Sequence, residues 1–86
     1  MISEKFSIDN EQGLHMRPAT LLVKAVKPFD SKVSIVFGGK TIACNIMQII
    51  AACIKCGSEI EIQCDGAQEE QAMQAIKELA ADNWGD

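Results

Sequence analysis

The sequence predicts an α+β domain of order βαββαβα, a four-stranded antiparallel sheet with one apolar face covered by three helices in an open-faced sandwich. Three observations carry this. Apolar residues alternate with polar ones in four short runs, recur with helical period in segments between them, and are separated by glycine, proline or asparagine at the joins. Four half-apolar strands need a cover, and three amphipathic helices supply it from one side.

Taken in order, Ile2 and Lys5 to Ile8 read as a strand with Phe6 and Ile8 inward, and Gly13 punctuates the turn after it. From Arg17 onward Ala19, Leu22, Val23 and Val26 recur at i, i+3, i+4 and i+7, a helix that ends near Pro28. Val33, Ile35 and Phe37 alternate, Gly38-Gly39 supplies a turn, and Thr41-Ile42-Ala43 is extended again, which makes a hairpin. Asn45 is a good helix cap, and Ile46 to Cys53 has the length of a short helix before Gly57 stops it. Ser58 to Cys64 alternates with Ile60 and Ile62 on one face. Asp65, with Gln68 three residues on, is the expected cap of a last helix that buries Ala72, Met73, Ile76, Leu79 and Ala80. Asp82 to Asp86 is expected to fray unless Trp84 anchors it.

With 86 residues and no compositional break, residues 1–86 are expected to form a single domain around one core. Hydrophobic residues at 48% against 23% charged residues give the balance of a chain that folds by itself rather than a disordered one. A formal net charge of -4 provides no overall positive field for nucleic acid or anionic lipid, so neither is an expected partner. No stretch has the apolar length needed to span a bilayer, and Met1 to Asn10 reads as no secretory signal, so a cytoplasmic protein without membrane insertion is expected. A monomer is the default.

Four cysteines, Cys44, Cys53, Cys56 and Cys64, are expected as reduced, buried thiols. Cys53-Ile54-Lys55-Cys56 has the spacing of half a zinc site, but the other two cysteines stand alone and the single histidine is far upstream, so no metal site is assigned. Gly39-Lys40-Thr41 looks like the end of a nucleotide-binding loop, yet Ser34 stands where the earlier glycine is required. The tripeptide also sits in a hairpin instead of between strand and helix. Neither ATP nor any other cofactor is expected.

The most informative segment is Gly13-Leu14-His15-Met16-Arg17-Pro18-Ala19, where a turn meets the first helix. A helix N-terminus exposes backbone N–H groups that lack intrahelical partners and carries partial positive charge, so an oxyanion is favoured beside it. Pro18 suits a first turn, where its missing N–H is not needed. Arg17 adds a permanent cation with a forked geometry for phosphate oxygens. Beside that field a ring nitrogen of His15 is the expected nucleophile. No second histidine, serine nucleophile or carboxylate with triad spacing accompanies it, which points to a carrier and not an autonomous enzyme. On these residues alone, an anion site and an exposed loop histidine beside a helix start remain equal readings.

This heptapeptide closely resembles the active-site motif of the HPr family, the histidine-containing phosphocarriers of the bacterial sugar phosphotransferase system. The resemblance covers nearly the whole chain. The βαββαβα order matches, as do Asn45-Ile46-Met47 opening the short helix, Gly57-Ser58-Glu59-Ile60 entering the last strand, and Asp65-Gly66-Ala67 before the last helix. It implies the HPr-like fold. It also implies that His15 accepts phosphate from enzyme I, itself charged by phosphoenolpyruvate, and passes it to the sugar-specific enzyme IIA, with Arg17 assisting at the phosphate.

A carrier that meets several proteins needs an apolar surface near its acceptor. Met16, Thr20, Leu21, Lys24 and Lys27 lie outside the buried stripe of the first helix. Ile46, Met47, Ile49 and Ile50 are too many apolar residues for one narrow face; family position implies that Ile46 and Met47 are exposed, the alternative being that all four are core. Where relatives under one form of control carry a serine that a kinase phosphorylates, this chain has Asn45, which caps a helix but offers no hydroxyl. No switch is expected there. The region of Cys53 and Cys56 departs from the glycine and small residues common in the family, so the connection after the short helix is expected to differ. Two other functions stay open at this point: an HPr-like regulatory module that binds targets according to His15 phosphorylation, and a small cysteine-based metal-binding module.

Overall fold

The computed structural model describes residues 1–85. Its elements are β1 (Ile2–Ser7), α1 (Met16–Val26), β2 (Lys32–Phe37), β3 (Lys40–Ala43), α2 (Ile46–Ala51), β4 (Glu59–Asp65) and α3 (Glu69–Ala81), followed by a 3₁₀ turn over Asn83–Gly85. The strands form one antiparallel sheet in the order β1-β4-β2-β3. The expected α+β class and order are therefore observed.

Register follows from alternation. Phe6 stands opposite Ile60, and Ile62 opposite Ile35, which is itself opposite Ile42, so the apolar sets of all four strands face the same way. A slip by one residue would turn each set to the open side. Ala19, Leu22 and Val26 of α1, Ile49 of α2, and Ala72, Met73 and Ile76 of α3 close over that face. Each large aliphatic buried this way contributes about 1.5–3 kcal/mol against its exposed state. Glu4, on the helix-facing row of the edge strand, is paired by Lys77 of α3.

The structure departs from the sequence reading most at the end of the short helix and at the start of the last one. The short helix ends at Ala51 rather than reaching Cys53, because Cys53 takes a left-handed φ of 54°. That reversal returns Ile54 to the core, where it is 3% exposed; a continued helix would carry it away. Asp65 stays in β4, paired with Lys32, and Gln68 takes the cap position of α3. Instead of capping, the Gln68 side chain accepts the Asp30 N–H at 2.8 Å, and Glu69 reaches back to the Gly66 N–H at 3.3 Å. At the other end, Trp84 is 1% exposed, donates its indole N–H to the Ser7 carbonyl at 3.3 Å and meets Phe6 edge to face at 5.7 Å between centroids. The tail is therefore anchored through Gly85, and Asp86 lies outside the described residues.

Candidate functional site

His15 is the N-cap of α1, with extended backbone, and its carbonyl accepts the first helical hydrogen bond, from Ala19 N–H at 3.0 Å. Met16, Arg17 and Pro18 occupy the first turn. The N–H groups of Met16 and Arg17 have no intrahelical carbonyl to reach, while Pro18 has no N–H to satisfy, so the polar field at this end is available to an anion beside the imidazole. No acidic residue stands in this first turn to oppose it.

A tight loop holds the histidine in place. The Gly13 N–H bonds to the Asn10 carbonyl at 3.0 Å, the Leu14 N–H to the Ile54 carbonyl at 2.9 Å, and the His15 N–H to the Gly13 carbonyl at 3.0 Å. Gly13 has φ +72°, and a Cβ there would meet the Ile54 carbonyl oxygen and stand 2.8 Å from the Lys55 Cα. Only glycine allows both the turn and the approach. Leu14 points into the core, and its burial sets the direction in which the next residue emerges.

His15 and Arg17 line one open groove of about 370 Å³ together with Glu11, Gln12 and Asn83. Asn83 reaches this groove from the other end of the chain. The fully buried Asn10 donates its side-chain N–H to the Asn83 carbonyl at 2.9 Å, and Trp84 pins the next residue. Reasoning along the sequence missed Asn10, Gln12 and Asn83. The nearest signal was Asn10 three residues before Gly13, a turn spacing; nothing local marks Asn83.

A second groove of about 330 Å³ joins His15 to Met16, Ile50, Cys53 and Lys55 over the buried Leu14 and Ile54. Around it Met47 is 76%, Met16 59% and Ile50 36% exposed, whereas Ile49 is wholly buried and Ile46 is half-buried. The four apolar residues of α2 thus divide between core and surface, with Met47 exposed as family position implied but Ile46 only half so. Thr20 is half-buried and donates to the Met16 carbonyl at 2.7 Å; Lys24 and Lys27 are exposed farther along α1. Leu21 is half-buried and packs against Gly85, next to the C-terminal turn. At the head of α2 the Asn45 side-chain oxygen accepts from Met47 N–H at 2.9 Å and Gln48 N–H at 3.3 Å.

The cysteines depart from expectation. Cys64 is buried and Cys44 half-buried, but Cys53 and Cys56 are exposed, since the reversal at Cys53 turns Ile54 inward and leaves its neighbours outside. Burial, with a smaller contribution from nearby Cys64, pushes the Cys44 thiol up to about 11. Among the described residues, no three His, Cys, Asp or Glu side chains converge to hold a metal ion. No helix among them is long and apolar enough to cross a membrane.

An open-faced α+β sandwich with an imidazole at the head of its first helix defines a class of small phosphocarrier domains. The family model described as "PTS HPr component phosphorylation site" matches residues 2–82. The phosphocarrier protein HPr of Mycoplasma capricolum is 43% identical over 81 residues, 91% of each chain. The solved structure of the histidine-containing phosphocarrier protein of Mycoplasma superposes with a TM-score of 0.90 at 38% identity, covering 96% of each chain. The multiphosphoryl transfer protein of Escherichia coli O157:H7 is 32% identical along all of this chain, which spans 24% of that longer protein. The chain belongs to the HPr family, the phosphocarriers of the phosphotransferase system.

Proposed function

We propose that His15 accepts a phosphoryl group on a ring nitrogen from phosphorylated enzyme I and yields it to a sugar-specific enzyme IIA in the cytoplasm. The observation that carries this reading is the position of His15 as N-cap of α1 in one groove with Arg17. In each step a nitrogen–phosphorus bond forms or breaks in line with the bond to the partner's own acceptor atom, so no water enters the balance. The three phosphoryl oxygens carry charge throughout. The first-turn N–H groups and the Arg17 guanidinium offset that charge, which keeps the phosphoimidazole accessible as an intermediate. The chain supplies the acceptor and its field, and the partner proteins supply the rest of the orientation. It acts as a carrier, not an autonomous enzyme.

Docking uses the apolar surface beside the groove, Met16, Ile46 and Met47, with Thr20, Leu21, Lys24 and Lys27 along α1. Methionine suits a surface that must accept different partners in turn, because its unbranched side chain repacks. The lysines steer acidic partners toward it. Asn45 caps α2 without a hydroxyl, so no kinase-driven control acts at that position.

Incubation with phosphoenolpyruvate and the cognate enzyme I is expected to give an acid-labile phosphoryl adduct that His15→Ala abolishes while the fold, followed by circular dichroism, is unchanged. Addition of a sugar-specific enzyme IIA then discharges it. An adduct that survives His15→Ala would overturn the assignment of the acceptor. An adduct that no enzyme IIA removes would favour the regulatory module instead.

A further inference from the structure

Two thiols with no part in phosphoryl transfer flank the dipeptide on which the acceptor loop rests. The Ile54 carbonyl holds the Leu14 N–H, and the backbone of Ile54 and Lys55 fills the space beside Gly13. Cys53 precedes this dipeptide and Cys56 follows it, and both are exposed. Cys53 sits at φ +54°, the left-handed region where a side chain is strained and glycine is the usual occupant after a helix. It also borders the groove that holds His15, Met16 and Ile50. The Cys56 thiol lies 3.8 Å from the Asp9 carbonyl, next to Asn10, whose own carbonyl takes the Gly13 N–H. The pair therefore brackets the support of the loop, and the Cys56 thiol meets its entry.

We propose that Cys53 and Cys56 form a redox-modification site, a dithiol that closes to an internal disulfide by exchange with a low-molecular-weight disulfide and thereby loosens the seat of His15. The thiolate of Cys53 attacks one sulfur of the small disulfide, whose S–S bond breaks and releases one small thiol. The thiolate of Cys56 then attacks the Cys53 sulfur of the mixed disulfide and expels the second small thiol. Two cysteine thiols are oxidised, one small disulfide is reduced, and the two thiol protons pass to the departing thiolates.

Cys-x-x-Cys is a spacing that thiol–disulfide exchange uses repeatedly, and both thiols are exposed to a small disulfide. Cys44 and Cys64 do not compete, being half-buried after β3 and buried in β4. Closure requires the two Cα atoms to lie roughly 4.4–6.8 Å apart and withdraws the Cys56 sulfur from the Asp9 carbonyl. The dipeptide between them moves with the closing ring, and the Leu14–Ile54 hydrogen bond weakens. The effect on phosphate acceptance rests on the phosphocarrier reading; the thiol chemistry and the loosening of Leu14 do not.

The test treats the full chain with excess oxidised glutathione and follows mass, amide exchange at Leu14 and phosphorylation by enzyme I and phosphoenolpyruvate. Expected are the loss of two hydrogens mapped to a Cys53–Cys56 bridge, faster exchange at Leu14, and phosphate acceptance slowed roughly five-fold, the effect of losing about one hydrogen bond. A thiol reductant restores all three. Cys56→Ser, with the bridge impossible, takes only mixed adducts and keeps the Leu14 protection of the reduced parent. A persistent glutathione adduct without an internal bridge, or a bridge that leaves Leu14 exchange unchanged, would overturn the proposal. If the reduced protein takes no phosphate while the bridge forms and Leu14 loosens, the phosphocarrier reading fails and the thiol site stands.

Discussion

The carbonyl of Ile54 accepts the Leu14 N–H at 2.9 Å, and the same carbonyl occupies the place a Cβ would need on Gly13. One atom after α2 thus fixes both the path and the height of the loop that carries His15. The acceptor residue is positioned by a contact across the forty residues of chain from Leu14 to Ile54, not by its neighbours in α1 alone.

Gly13→Ala is therefore expected to cost about 2–4 kcal/mol, the sum of left-handed strain and a clash with backbone that has little room to move. Urea unfolding measures it directly, and Tm falls by roughly 10–20 °C. Gly57→Ala is the control. Gly57 has φ +89° but nothing within 4 Å of the added carbon, so strain alone applies, about 1–2 kcal/mol. Equal costs at the two positions would remove the close approach as a cause.

Arg17 is exposed beside His15, so its replacement separates charge from fold. Arg17→Ala is expected to slow phosphoryl acceptance roughly ten- to hundred-fold, the loss of one charge-assisted interaction, with stability changed by less than about 0.5 kcal/mol. Arg17→Lys recovers part of the rate, since charge remains but the fork is gone. Rapid-quench phosphorylation with enzyme I reads both.

Trp84→Ala is expected to destabilise the chain by about 3–5 kcal/mol, because a wholly buried ring and its hydrogen bond to Ser7 are removed together. Trp84→Phe retains most of the packing against Phe6 and loses much less. In the alanine variant the Asn83 carbonyl is released from Asn10, so chemical shifts at Gln12 and His15 move although the substitution lies at the other end of the chain.

Alkylation of the native, reduced protein is expected to proceed in two phases. Cys53 and Cys56 react first, being exposed; Cys44 and Cys64 react only on unfolding or at strongly alkaline pH. With the Cys44 thiol raised from the ordinary 9.0 to about 11, the folded state holds this proton across that interval while the unfolded state loses it. This group's contribution to stability is therefore complete below pH 9.0 and is lost as pH rises to about 11.

Glu69 behaves in the opposite sense. The Gly66 N–H, and after it the Met1 ammonium at 3.1 Å, hold its carboxyl below the usual 4.5. Between the lowered and the ordinary value the unfolded chain binds more protons, so stability rises with pH there. Glu69→Gln is expected to destabilise the protein at neutral pH, with the difference from the parent closing as pH falls through the lowered value. Thermal melts from neutral to strongly acidic buffer show it.

Much of this molecule was legible in one dimension because its elements are set by short-range periodicity. Alternation at Ile60 and Ile62, the stripe through Ala19, Leu22 and Val26, and Asn45 as a cap all state their local structure, and register then follows from burying one face. His15, Arg17 and Pro18 were legible as an anion site for the same reason, since a helix N-terminus is made of consecutive residues. Two of the boundary errors share a cause. Helix propensity alone would carry α2 on to Cys53, but Ile54 must return to the core to hold Leu14; Asp65 has the form of a cap, but pairing with Lys32 keeps it in the sheet. Tertiary contacts outweighed a local preference in each case.

The α+β class, the order of elements and the chemistry at the head of α1 are encoded locally, because each rests on residues within a few positions of one another. Long-range packing is what brings Asn83 into one groove with His15 and Arg17, joins Met16 and Ile50 in one surface, and leaves Cys53 and Cys56 outside while Ile54 goes in. Those relationships depend on hydrogen bonds and packing across long chain separations, such as Asn10 to Asn83 and Trp84 to Ser7, for which no local pattern exists to be read.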